Sequence, residues 1–185
     1  MQMTEMNKMG RVLKAQAVAE IDGIKEEPFR KIRGITSFTQ TKDGVLVAAE
    51  VWGLPTSTPQ AVPYGSPHQM AKTEIPAPAQ GQGQEASCSS PIFAFHIHDE
   101  KGHYNPQNCL HPYHAGDLPP LFGNQGYALQ IVLTDRFTVK EIMGLMVVIH
   151  EFRDDFMTQP SGNPGKMIAS GIIEPVVRHS GARLV

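Results

Sequence analysis

The stretch FHIHDEKGHYNPQNCLHPYHAGD, from Phe95 to Asp117, holds five of the eight histidines of the chain. His96 and His98 stand two apart in a run that reads as a strand, so the two-residue period sends both imidazoles to one face. That is half of a metal site. His103, His111, His114 and Asp117 follow in a segment broken by Gly102, Pro106, Pro112 and Gly116, the composition of a loop that can fold back around an ion. Three imidazoles and one carboxylate suit a four-coordinate zinc ion. His150 ends the apolar run Leu145-Met146-Val147-Val148-Ile149, again a strand delivering an imidazole to a fixed place, and raises the candidate ligands to six histidines. The plainer alternative, a chance cluster of solvated histidines in a polar loop, does not account for this arrangement.

Outward from that stretch the chain is rich in strand and turn signals. Residues 18–21 before Asp22-Gly23 read as a short first strand, although residues 11–19 score equally as helix. Residues 34–40 and 45–51 are strand-like runs around Lys42-Asp43-Gly44, and Asp-Gly between alternating segments signals a hairpin. Residues 118–122 and 127–134 flank Gly123-Asn124-Gln125-Gly126 as a second hairpin. Residues 139–143 lead through Gly144 into the strand 145–149, and residues 166–173 form the closing strand. About eight short strands with little helical periodicity are the signature of an all-β antiparallel sandwich.

Between them, residues 56–91 turn to Pro, Gln, Ala, Ser and Gly, a long insertion that cannot bury enough apolar surface to offset its own ordering entropy. Partly ordered packing on the sandwich is the expectation, with His68 solvated; a lid or subunit contact carrying Tyr64 and His68 is the functional alternative. Residues 175–185, with His179, read as a surface tail.

The 185 residues fit one domain spanning the whole chain. A net charge of -2 offers no basic field for nucleic acid, and no stretch is long and apolar enough to span a bilayer. The first residues show no apolar signal-peptide core, which points to a cytoplasmic protein, though a chain trimmed of a leader reads the same. Two cysteines, Cys88 and Cys109, are too few for a disulfide scaffold. Cys109 reads as a small buried hydrophobe, with a bridge to Cys88 as the minority alternative.

The motifs FHIH, GHYNP, HPYHAGDLP, VVIHE with Asp154-Asp155, and GNPGKMIASGII resemble the copper,zinc superoxide dismutase family, from Gly34 to Ile173. The resemblance implies an eight-stranded Greek-key β-barrel with long metal-binding loops. It implies copper on His96, His98, His103 and His150, and zinc on His103, His111, His114 and Asp117, with His103 shared. A single ring can bridge two cations only when both its nitrogens are deprotonated. Asp154 matches the family's buried carboxylate that hydrogen-bonds one imidazole of each set, here His96 and His111; otherwise it would read as a solvated loop acid. The implied reaction is dismutation of superoxide, in which His103 is both ligand and proton donor. A homodimer is within the family's range. A non-enzymatic protein that buffers or delivers copper and zinc is the alternative.

The chain also departs from the family. Met167 stands where the family has its active-site arginine, whose guanidinium docks and steers the anionic substrate. Lys166 and Arg153 are the nearest cations in sequence, and strand alternation points Lys166 away from Met167. The loop between Asp155 and Gly162 is short, so copper is expected to be more open to solvent. Neither end of the family's intrasubunit disulfide is recognisable here, since Ser170 occupies the last-strand position and only Asp99, Glu100, Lys101 and Gly102 separate His98 from His103.

Overall fold

The computed structural model describes residues 14–56 and 91–176. Within them lie β1 (Ala17–Gly23), a 3-10 turn (Phe29–Lys31), β2 (Arg33–Thr41), β3 (Gly44–Trp52), β4 (Ile92–Asp99) and β5 (Gly102–His103). β6 (Asp117–Phe122), β7 (Tyr127–Thr134), β8 (Met146–His150) and β9 (Met167–Pro175) follow. Every pairing is antiparallel. The ladder runs β5-β4-β8-β9-β1-β2-β3-β7, with β6 also on β4. The result is an all-β, curled antiparallel sheet of the expected Greek-key kind, open between β6 and β7. Among the described residues no helix is long and apolar enough to cross a membrane.

A two-residue period explains the curl. In β1, Ala17, Ala19 and Ile21 are buried between less buried neighbours, so the segment is a strand, not the alternative helix. In β3 the inward residues are Val45, Val47, Ala49 and Val51, and Phe38, Phe93, Phe95 and Ile149 fill the centre. The Lys42-Asp43 loop closes β2 on β3, with Thr41 opposite Gly44.

β4 breaks the alternation. Every residue from Phe93 to Ile97 is buried, because Phe93, Phe95 and Ile97 face the core while the outward positions are covered too. The cover comes from the segments that follow β5 and β8. Ile97 N–H donates to Gly116 O at 2.9 Å, and Ala94 N–H to Phe152 O at 2.8 Å. His96 and His98, on the outward parity, therefore lie under loops on the outside of the barrel.

Residues 139–143, which lead into β8, form turns whose Val139 and Ile142 join Phe137 in the buried core. Glu141 secures this turn by accepting from Thr138 N–H and Oγ1–H at 2.6 and 2.7 Å. Several expectations fail. The second hairpin is not one: β6 pairs with β4 and β7 with β3, so the turn at 123–126 carries the chain across the seam. Pro119 and Pro120 lack the N–H groups for a second ladder, which confines β6 to an edge. β9 runs on to Pro175, opposite Ala17, two residues past the closing strand read from the sequence. Cys109 is exposed rather than buried, in a turn that Asn105 closes through both its amide atoms at 2.9 Å. Cys88, Tyr64, His68, His179 and nearly all of the 56–91 insertion lie outside the described residues.

Candidate metal centre

Strand register gathers the site. His98 stands opposite His103 between β4 and β5, and His96 opposite Asp117 between β4 and β6. His150 ends β8 opposite Met167, just after a register shift between Ile149 and His150. Bulges of this kind re-aim a side chain. His111 and His114 come from the loop before β6. The donors fall into two groups, His96, His98, His103 and His150, and His103, His111, His114 and Asp117. Within each, the donor atoms lie within 4.8 Å of one another, and His103 belongs to both.

Proton bookkeeping shows what these groups can hold. An ionised carboxylate only accepts, so at 2.9 Å from Asp154 the Nε2 atoms of His96 and His111 carry the protons. Their Nδ1 atoms are then lone pairs. His96 Nδ1 is buried without a hydrogen-bond partner, as is His103 Nε2. His150 Nδ1–H donates to Gly165 O at 3.1 Å, which leaves its Nε2 as a lone pair only 3.3 Å from His98 Nε2. In the second group, Asp117 Oδ2 lies 3.1 Å from His111 Nδ1 and 3.4 Å from His114 Nδ1, while Oδ1 lies 2.7 Å from His103 Nδ1. Buried lone pairs facing one another are costly unless a donor or cation stands between them. The donor sets thus fit a metal ion in each group: four nitrogens in one, three nitrogens and a carboxylate in the other.

Burial tunes these groups. It pushes His98 down to about 3 and His150 to about 4, with neighbouring imidazoles adding to the effect on His98. His96 is also lowered, chiefly by burial, although its bond to Asp154 opposes this. Burial raises Asp154, but His96, the Phe156 N–H and His111 outweigh it and hold the acid at about 2. Asp117 is likewise lowered against its burial by the bond from His103. His96, His98 and His150 are kept neutral and Asp117 and Asp154 ionised, the states that ligate metal.

Sequence reasoning missed four residues here. Gln159 brackets the backbone of His111, accepting from its N–H at 3.0 Å and donating to its O at 2.8 Å. Gly162, at φ +75°, lies where any Cβ would run into Asp154 Oδ1, and Gly165 presents its carbonyl to His150. Arg136 reaches the loop before β6 from beyond β7. Only the glycines had a local signal, in the run Gly162-Asn163-Pro164-Gly165.

At the rim, Met167 is 38% exposed beside His150, so no guanidinium stands at that place. Lys166 is engaged elsewhere, 2.7 Å from Glu26 Oε1 and 5.0 Å above the Phe29 ring. Arg153 is exposed.

Fold and site together define a β-barrel with two adjoining groups of potential metal ligands that share one histidine. The chain belongs to the copper/zinc superoxide dismutase (SODC) family, whose model matches residues 32–173. It is 32% identical over 149 residues to the copper-zinc superoxide dismutase of Legionella pneumophila, covering 76% of this chain and 77% of that one. It is 34% identical over 106 residues to copper-zinc superoxide dismutase 2 of Aquifex aeolicus, covering 43% of this chain and 62% of the relative. Among solved structures, a double mutant of an SOD-like protein from Bacillus subtilis superposes with a TM-score of 0.56 at 21% identity, covering 84% of this chain and 95% of the other. That likeness concerns the fold.

Proposed function

We propose that the protein is a superoxide dismutase, converting two superoxide ions and two protons into O2 and H2O2. Copper would be held by His96 Nδ1, His98 Nε2, His103 Nε2 and His150 Nε2. Zinc would be held by the Nδ1 atoms of His103, His111 and His114 and by Asp117. When bound, copper supplies reversible one-electron exchange with superoxide, while redox-silent zinc supplies fixed charge.

The observation that carries this reading is the double membership of His103, with Nε2 buried and unpartnered on one side and Nδ1 against Asp117 on the other. A ring so placed can hold a proton at Nε2 between the two half-reactions and deliver it to the peroxide formed in the second. Asp154 fixes the tautomers of His96 and His111 from behind. Met167 in place of a cation leaves substrate capture without local steering.

The test is to load metal-free protein with copper and zinc, count both per chain, and measure dismutation. One of each with activity is the expected result. His150→Ala should lose copper and activity while keeping zinc, whereas His103→Ala should weaken both metals. Full zinc retention in His103→Ala would sink the bridging assignment. Full loading of the parent without dismutation would favour the copper-buffering alternative.

A further inference from the structure

We infer that Arg136 is a positioning residue for the zinc-side donors, acting on their backbone from across the barrel seam. Its Nη1 donates to Asp117 O at 3.0 Å and lies 3.3 Å from His114 O and 3.4 Å from Pro112 O. An NH2 group has two hydrogens, so the Asp117 bond takes one and the other two carbonyls share the second. This inference rests on the zinc reading of that donor group.

The clamp is aimed at the part of the site that most needs one. Three of the four zinc-side donors, His111, His114 and Asp117, sit within seven consecutive residues. His114 and Asp117 close a turn on each other, with Asp117 N–H donating to His114 O at 3.2 Å and His114 N–H to Asp117 Oδ2 at 3.1 Å. Arg136 binds the two ends of that turn from outside. Without a cation, the lone pairs of His111, His114 and Asp117 repel one another, and a free loop would relieve this by spreading. A guanidinium bound to carbonyls makes charge-assisted hydrogen bonds that oppose the spreading. The copper-side donors His96, His98 and His150 are placed by the β4 and β8 ladders instead, and owe Arg136 nothing directly.

The difference between the two donor groups supplies the test. Metal-free parent, Arg136→Ala and Arg136→Lys are titrated with zinc against a competing chelator, and with copper at saturating zinc. Cobalt(II) in the zinc-side group reports donor geometry through its absorption bands. Melting of the metal-free proteins monitors the fold. Arg136→Ala should bind zinc about 10-fold to 100-fold more weakly, the usual range for loss of a group that orients ligands. Its cobalt bands should broaden, its copper affinity should be unchanged, and its melting temperature should stay close to that of the parent. Arg136→Lys should fall between, because the ammonium keeps the charge and has donors enough, but its shorter, flexible stem lacks the planar guanidinium that holds Nη1 over the three carbonyls. It also decides the matter if the alanine variant does not fold: weaker zinc binding supports the inference, and parental binding overturns it. Equal zinc affinity and cobalt bands in all three proteins would overturn it. So would parallel weakening of zinc and copper with a fallen melting temperature, which marks a role in the fold alone. A parent that binds copper but no zinc would refute the zinc reading itself, and this inference with it.

Discussion

Asp154 shows how much one side chain can organise. It is only 3% exposed and uses both oxygens, one on His96 and one on His111, so it fixes one imidazole in each donor group. Asp154→Ala should leave the strands intact and weaken metal retention by about 10-fold to 100-fold. Metal affinities equal to those of the parent would show that the two rings hold their orientation unaided. Met167 raises the opposite question, since the place beside His150 carries a thioether where a cation would attract superoxide. In a loaded dismutase, Met167→Arg should raise the rate at low ionic strength. The gain should shrink as the Debye length falls to about 8 Å at physiological salt. Lys166→Ala should change little, because Lys166 is committed to Glu26 and Phe29. The measurement is rate against salt at matched copper content, and loss of the parent's salt dependence in Lys166→Ala would give Lys166 the steering role.

At the scale of elements, the segment between β8 and β9 folds back over the outside of the barrel through a few specific contacts. Glu151 N–H bonds to Lys166 O and Phe152 N–H to Pro164 O, both at 2.9 Å, so the segment begins as an extension of the β8–β9 ladder. It then loops out to bring Asp154 and Gln159 onto His111. Gly162 N–H returns to Thr158 O at 2.7 Å in the left-handed conformation, with no room for a side chain beside Asp154. Gly162→Ala should cost about 1–3 kcal/mol in backbone strain and displace Asp154 as well. The expected outcome is metal loss comparable to that of Asp154→Ala, with the β content unchanged by circular dichroism. Normal metal affinity in Gly162→Ala would mean that the loop can shift without disturbing Asp154.

For the whole molecule, the buried imidazoles couple the fold to pH. His98 and His150 take up protons near 6.5 when unfolded but only near 3 and 4 when folded. Between these values the unfolded chain holds more protons, so acid favours unfolding. Asp154 adds in the same direction: its folded value of about 2 lies below 3.8, so its contribution is present above 3.8 and lost as pH falls towards 2. The metal-free protein should therefore melt at steadily lower temperature as pH is brought from 7 through the window between about 6.5 and 4. A melting temperature that stays flat or rises over that interval would contradict the neutral, buried state of these histidines.

The sequence by itself determined most of the strand content, because the strand-like runs 34–40 and 45–51 around an Asp-Gly turn leave one face to bury, whereas residues 17–21 became a strand only through their pairing with β2 and β9. It also determined that His96 and His98 share a face and that His150 ends a buried strand, since these follow from a local period. The tertiary structure decided what depends on contacts between distant segments. Pro119 and Pro120 were visible, but only the path of the chain shows that β6 takes β4 as its partner while β7, across a seam, takes β3. Val139 and Ile142 are apolar in either a strand or a turn, and the space at the end of the barrel selected the turn. Arg136 and Gln159 reach carbonyls 19 to 48 residues away, and neither residue has a local pattern that announces it. The nitrogen that each imidazole turns inward was fixed in the same way, by where the folded loops put Asp154 and the Gly165 carbonyl.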